Sequence, residues 1–254
     1  MKRLALGLAL SLFASMPALA DGPAIRIATE GAYPPFNLTK PDGQLAGLEV
    51  KLANVLCERM KRSCTVVAQD WDGIIPGLMA RKYDAIMATM NITPERLKSI
   101  AFSTPYMVVP AYFVAATGSG IDGTLETLRG KEIGAQTSTT HYRYAEKHFG
   151  DAVTLRSYDT TANLLADLKS DRIAAAITTG ATASDWVRED ASKSIQLVGK
   201  PLIDADVFGP GIGVGLRKDD AALKQDFDAA IASVIKDGTL AGIAAKYVDF
   251  PITP

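Results

Sequence analysis

Apolar runs rich in β-branched residues alternate with helical patterns along most of this chain, and no other feature limits its possible folds as strongly. "AIRIATE" gives way to a loop and a helical pattern from Leu48, "CTVVAQ" precedes one around "DGIIPGLMARK", and "YDAIMATM" runs into a helix start at Thr93. After "VVPAYFVAA" the alternation resumes, with "KEIGAQ" before "THYRYAEKHF", "VTLRSY" before "TTANLLADLKS" and "RIAAAIT" before "ATASDWVRED". Parallel strands need a crossover connection, which a helix supplies, so this rhythm predicts βαβ units and an α/β fold with mostly parallel sheets. The last pattern, "DDAALKQDFDAAIASVIKDGTLAGIAAKY", is a long amphipathic helix broken at Asp237-Gly238.

Two passages do not fit the alternation. "FSTPYMVVPAYFVAA" lacks helical periodicity and reads as an extended crossing, and "PLIDADVFGPGIGVGLR" is a second extended, glycine-rich passage leading into a strand. Two crossings are what a chain needs to leave one lobe, build another and return. The expectation is therefore two lobes, against the alternative of one continuous sheet.

The N-terminus reads as outside the fold. Lys2 and Arg3 precede an apolar run from Leu4 to Phe13, and "SMPALA" carries the small-x-small pattern of a secretory leader cut after Ala20. The run is too short to span a bilayer. No cysteine sits just after the cut, so a lipid anchor is not expected. Cleavage would leave 234 of 254 residues, enough for one large domain or two small ones. It would also remove two of the 27 basic residues and none of the 28 acidic ones, giving a formal charge of about −3. A nearly neutral chain lacks the electrostatic footprint of a nucleic-acid binder.

Cys57 and Cys64 are the only cysteines. On one helix their sulfurs would stand about 10 Å apart, too far to bond. But "LEVKLANVLCERMKRSCTVVAQ" reads as a helix to about Met60, a basic turn, and a strand from Thr65. The reversal makes a short-loop disulfide feasible, and export favours it; two inert buried thiols are the alternative.

In open α/β sheets ligands bind beyond the carboxyl ends of the strands. Those positions hold Glu30 with Tyr33 and Phe36, then Trp71 between Asp70 and Asp72, then Thr89, Met90 and Asn91 running into a helix with Arg96. Further on stand Thr137, Ser138, Thr139, Thr140 and His141 at a helix start, and Thr178-Thr179-Gly180. Hydroxyls and free N–H groups at helix starts receive anions. Arg96 is the odd residue, because a cation in a first turn is disfavoured by the helix dipole. An acidic neighbour such as Glu95 would explain it, and so would a bound anion. Singly each residue has a plain reading: the threonines as caps, Trp71 as core, Glu30 as solvated. Jointly they describe a site for a zwitterion, with Arg96 gripping a carboxylate, Trp71 and Tyr33 flanking the body, and Glu30 taking a cationic end.

Catalysis has little support. His141 and His148, seven apart, read as a solvated helix face and a poor metal pair. There is no G-x-S-x-G, HExxH or P-loop, and no cofactor or metal is expected. The competing reading is an exported two-lobed enzyme using Glu30 as acid or base.

The stretches "IRIATEGAYPPF", "GLEVKLANVLCERMKRSC", "DWDGIIPGLMARKYDAIMATMNITPERLKSIAFSTPY" and "GVGLRKDDAALKQDFDAAI" resemble, in order and spacing, the polar amino-acid-binding proteins of bacterial ABC importers. The resemblance is to the lysine/arginine/ornithine- and histidine-binding members, with the opine-binding members close by. The resemblance implies a type II periplasmic-binding-protein fold with two hinge strands. Its lobe I would comprise about residues 24–108 and 208–254, and its lobe II residues 109–207. It also implies a periplasmic protein, expected as a monomer, that delivers its ligand to membrane permease subunits. It assigns Glu30, Tyr33 and Trp71 to the ligand side chain, and Ala88, Thr89, Asn91 and Arg96 to the carboxylate wall. Thr139 and Thr140 would bind from the second lobe. Where the family usually has an aspartate for the ligand α-ammonium this chain has Thr179, and Asn91 replaces a small serine. Both departures leave room for a ligand with a substituted or missing α-amine, such as an opine.

Overall fold

A computed structural model describes residues 24–252; the leader read at residues 1–20 lies outside them. β1 (Ile25–Thr29) buries Ile25, Ile27 and Ala28. A small antiparallel sheet follows, formed by β2 (Ala32–Tyr33), β3 (Asn37–Thr39) and β4 (Leu45–Ala46). α1 (Leu48–Arg59) turns Leu48, Leu52 and Leu56 inward at the spacing of one helix face. It reverses into β5 (Cys64–Ala68), and Cys57 is bonded to Cys64 across a Cα separation of 6.1 Å. A 3-10 turn at Trp71–Gly73 enters α2 (Ile74–Met79), and β6 (Ala85–Ile86) follows. α3 (Pro94–Leu97) starts as its sequence dictates, with Pro94 in the first turn and the Thr93 side chain accepting the Arg96 N–H. β7 (Ala101–Phe102) ends this part of the chain.

The second unit runs β8 (Ala111–Ala116), α4 (Leu125–Leu128), β9 (Glu132–Gln136), α5 (Thr140–Phe149), β10 (Thr154–Tyr158) and α6 (Thr161–Lys169). It closes with β11 (Ala175–Thr179), α7 (Gly180–Glu189) and β12 (Ile195–Leu202). The chain then returns through α8 (Ala205–Phe208) and β13 (Gly215–Leu216) to α9 (Ala221–Lys236) and α10 (Thr239–Ala244). The break between the last two falls at Asp237 and Gly238, where Gly238 takes a left-handed conformation.

Two five-stranded sheets result, ordered β5-β1-β6-β13-β7 and β10-β9-β11-β8-β12. In each, four strands share one direction and the fifth opposes them: β13 in the first sheet, β8 in the second. These two are the strands that enter straight from a crossing, so the mostly parallel sheets are each interrupted by the returning chain. Helices cover both faces of the second sheet, with Phe113, Ile133 and Ile177 packed on one side and Val114, Leu164 and Trp186 on the other. Burial on both faces is why its strands read as continuous apolar runs rather than alternating ones.

The crossings lie side by side. Tyr106 N–H donates to the Ile212 carbonyl at 2.9 Å, and Ile212 N–H donates to Met107 at 2.8 Å. Gly209 sits at φ 65, and a Cβ there would lie 1.8 Å from the Ile92 carbonyl oxygen, so glycine lets the returning chain press against the first lobe. The second crossing is not extended throughout. The Asp204 side chain accepts the N–H groups of Asp206 and Val207 and caps the short helix α8.

Candidate ligand-binding site

The carboxyl ends of β1 and β6 and the turn after β5 face the start of α5 across a cavity of about 290 Å³ that is partly open to solvent. Its wall contains Glu30, Tyr33, Trp71, Ala88, Thr89, Asn91 and Arg96 from the first lobe, and Gln136, Thr139, Thr140 and His141 from the second. Nine of the ten residues expected at a ligand site therefore share one cavity. Thr179 stands a layer back. The Tyr33 hydroxyl donates to Thr179 Oγ1 at 3.2 Å and accepts the Thr179 N–H at 3.3 Å, which screens the end of β11 from the cavity. The same hydroxyl lies 3.1 Å from Thr178 Oγ1.

Arg96 has no carboxylate partner among the described residues; Glu95 pairs with Lys98 instead. Its guanidinium donates to the Asn91 carbonyl at 2.8 Å and, across the cleft, to the Ser138 carbonyl at 3.1 Å. It also lies 5.3 Å from the centroid of the Trp71 ring. Burial, with the like charge of Arg143, lowers its pKa to about 10. A guanidinium has five N–H donors, so two carbonyl contacts leave capacity for an anion in the cavity.

Glu30 is the single carboxylate on the wall. Its Oε1 accepts the Gln136 amide at 2.6 Å, and Oε2 accepts nothing from the described residues. Burial pushes Glu30 up to about 7; the Gln136 bond opposes that, and the charges of Asp70, Glu49 and Asp72 add to it. An acid so desolvated, with one oxygen free, is a receptor for a cation. Trp71 heads its 3-10 turn and donates Nε1–H to the Thr137 carbonyl at 3.0 Å, another link across the cleft. Asn91 adds one more, accepting the Thr140 hydroxyl at 3.1 Å. Thr139 caps α5 by accepting the Tyr142 N–H at 3.2 Å.

Of the two histidines read as a solvated face, His148 is exposed, but His141 is buried. Residues seven apart lie on one side of a helix, and on α5 that side packs against α8. Tyr144 stacks on Phe208 with ring centroids 5.5 Å apart, His141 lies 6.1 Å from the same ring, and His148 bonds Asp204 at 2.7 Å. His141 lines the cavity, and burial together with the Arg96 charge lowers it to about 3, so it is a neutral imidazole there. Gln136 is the wall residue that the sequence reading did not name. Its position at the end of "KEIGAQ", beside the hydroxyl run, was the available signal.

Residues 25–250 match the family model for bacterial extracellular solute-binding proteins, family 3. An L-arginine-binding protein of Pseudomonas aeruginosa is 40% identical, covering 99% of this chain and 98% of its own. An octopine-binding periplasmic protein of Rhizobium meliloti is 38% identical over 93% and 94%. A solved arginine-specific periplasmic binding protein of Salmonella typhimurium superposes with a TM-score of 0.82 at 29% identity, covering 90% of this chain and 100% of that one. The chain belongs to the bacterial extracellular solute-binding proteins, family 3.

Proposed function

We propose that the cavity binds a small zwitterion bearing a carboxylate at Arg96 and a cationic group at Glu30, and that the protein hands this ligand to the permease of an ABC importer. As a family member the chain is a periplasmic solute-binding protein and not an enzyme. Glu30 is accordingly a charge partner rather than an acid or base catalyst. One observation carries the reading: an arginine without a carboxylate and an acid with an unshared oxygen line the same cavity. Desolvated charges left so are costly unless a ligand pairs them. Trp71 and Tyr33 supply apolar surface for the body between. We assign residues 24–108 and 208–252 to lobe I and 109–207 to lobe II, acting as a monomer that closes on its ligand; the last two residues of the lobe I span read from the sequence, 208–254, lie outside the described residues.

Basic amino acids and arginine-derived opines are the candidate ligands, in keeping with relatives named for arginine and octopine. The wall has one acid, and Thr179 is neutral and covered by Tyr33, so a second ammonium meets no carboxylate. That favours a substituted α-amine. A thermal-shift screen of amino acids, opines and betaines against refolded, ligand-stripped protein tests this. A true ligand at a hundredfold excess over its Kd stabilises by about 2.7 kcal/mol. Preference for acidic or aliphatic amino acids would refute the roles of Glu30 and Arg96, and arginine outranking octopine would refute the preference for a substituted amine.

A further inference from the structure

Glu49 is a carboxylate that the cavity does not touch, 1% exposed in the first turn of α1. Four donors converge on it. Oε1 accepts the Thr89 backbone N–H at 2.7 Å and the Tyr106 hydroxyl at 2.5 Å. Oε2 accepts the Asn37 amide and the Thr89 hydroxyl, each at 2.9 Å. Burial raises its pKa and these donors oppose the rise.

The donors come from three places that the binding site must hold in register. Thr89 is on the cavity wall at φ 52, a conformation in which a β-branched residue is an outlier. Asn37 turns its carbonyl to the Gly31 N–H at 2.8 Å, and so reaches the turn that follows Glu30. Tyr106 lies in the first crossing, bonded to Ile212 of the second. We propose that Glu49 is a positioning residue of the ligand site, whose carboxylate holds Thr89 in its left-handed conformation and fixes it relative to the Gly31 turn and the hinge at Tyr106. This rests on reading the cavity as the ligand site.

The chemistry of a carboxylate is what the cluster requires. Each oxygen faces one N–H that can only donate, from Thr89 on one side and from Asn37 on the other. An amide of the same shape has one oxygen, so however it turns, its NH2 group meets an N–H. Glu49→Gln therefore breaks one side of the clasp without changing volume.

Calorimetric titrations with L-arginine and with octopine on the wild type, E49Q, T89G and E49Q/T89G test the assignment. E49Q is expected to weaken binding about tenfold or more, as loss of a charge-assisted bond does. With Thr89→Gly as background the loss should shrink to about threefold or less, because glycine adopts this conformation unaided. Equal losses in both backgrounds, or a loss below about threefold in the first, would overturn the proposal. Tyr106→Phe keeps the ring, lies off the cavity wall and removes one donor; it should lose about two- to fivefold in affinity, and an unchanged affinity would count against Glu49 even if E49Q does not fold. Amide exchange of Thr89 in the unliganded protein is independent of any ligand. It should be slow in the wild type and accelerated in Y106F and E49Q, and fast exchange in the wild type would refute the clasp. If neither probe binds the wild type while that exchange behaves as expected, the ligand reading fails and the role of Glu49 in shaping the cavity stands.

Discussion

Replacing Glu30 by glutamine should remove the preference for a cationic ligand without disturbing the cavity, because the new amide oxygen can still accept the Gln136 N–H now held at 2.6 Å. The magnitude follows from the burial. A unit charge about 4 Å away at an effective dielectric near 20 gains about 4 kcal/mol, and dehydrating both ions offsets part of it. A net loss of about 2–3 kcal/mol, or about 30- to 150-fold in Kd, is expected for L-arginine or octopine. Glutamine, an uncharged comparator, should change by less than about threefold. The same residue sets a pH dependence. In the empty closed site Glu30 is held up to about 7, and a bound cation lowers it. A group whose pKa falls on binding gives affinity that is complete above its free value and is lost as pH drops through it. Log affinity should therefore be flat above pH about 7 and fall by up to about one unit per pH unit below it, with proton release on binding near pH 6 to 7. Isothermal calorimetry in buffers of different ionisation enthalpy measures both quantities, and E30Q should abolish the slope. A flat wild-type profile, or an E30Q affinity for the cationic ligand within about threefold of the wild type, would refute the reasoning.

Arg96→Ala should weaken binding by about 2–4 kcal/mol, since a ligand carboxylate would lose a two-pronged charge-assisted partner; a calorimetric loss of only a few-fold would reduce Arg96 to a bridge to Ser138. Replacing both Cys57 and Cys64 by alanine, which opens a short loop, should lower stability by about 2–3 kcal/mol in urea denaturation, and an unchanged midpoint would refute this. His141, lowered to about 3, should show ring 15N shifts that do not titrate from about pH 5 to 8 but move on ligand saturation. The unfolded chain takes that proton near pH 6.5, so His141 also contributes stability that is lost as pH falls below that value; titration of the ring inside the window would disprove its burial as a neutral group.

Local patterns in this chain speak clearly where one residue type has one physical use. Thr93-Pro94, Thr139 and Asp237-Gly238 mark helix ends in the sequence and in the structure because capping depends on immediate neighbours. The position of Glu30 and Trp71 just beyond strand ends was legible for the same reason, since strand periodicity ends there. What the sequence hid depends on contacts between distant segments. α8 is four residues long and its cap, Asp204, lies in a passage rich in turn formers, so the passage reads as extended. His141 looks like part of a polar stripe until α8 is laid on it through Phe208. Glu49 reads as an ordinary acid at a helix start, and only the approach of Thr89, Asn37 and Tyr106 shows its use.

The links across the cleft fit a receptor that must both hold and release. Trp71 to Thr137, Arg96 to Ser138, Gln136 to Glu30, Tyr33 to Thr179, Thr161 to the Ala32 carbonyl and Thr182 to the Pro34 carbonyl all join groups that water can satisfy once the lobes part. Each such bond contributes only about 0.5–1.5 kcal/mol net, a little more where charge is involved, and parting the lobes trades it for hydration. Six such bonds sum to about 3–9 kcal/mol, against which stand the entropy of fixing the lobes and the two ions that closure dehydrates. What the protein does not satisfy in the closed form is the free oxygen of Glu30 and the remaining donors of Arg96, and these are costly when dehydrated. A ligand that pairs both removes that cost in the closed state and touches only one lobe in the open one. Its differential affinity, rather than the number of its contacts, then sets the closed population, since moving an equilibrium from one part in a hundred to ninety-nine takes about 5.5 kcal/mol of preference for one state. A solute lacking either charge leaves a desolvated ion behind and cannot supply that difference, so the same two residues that select the ligand also decide whether the lobes stay shut.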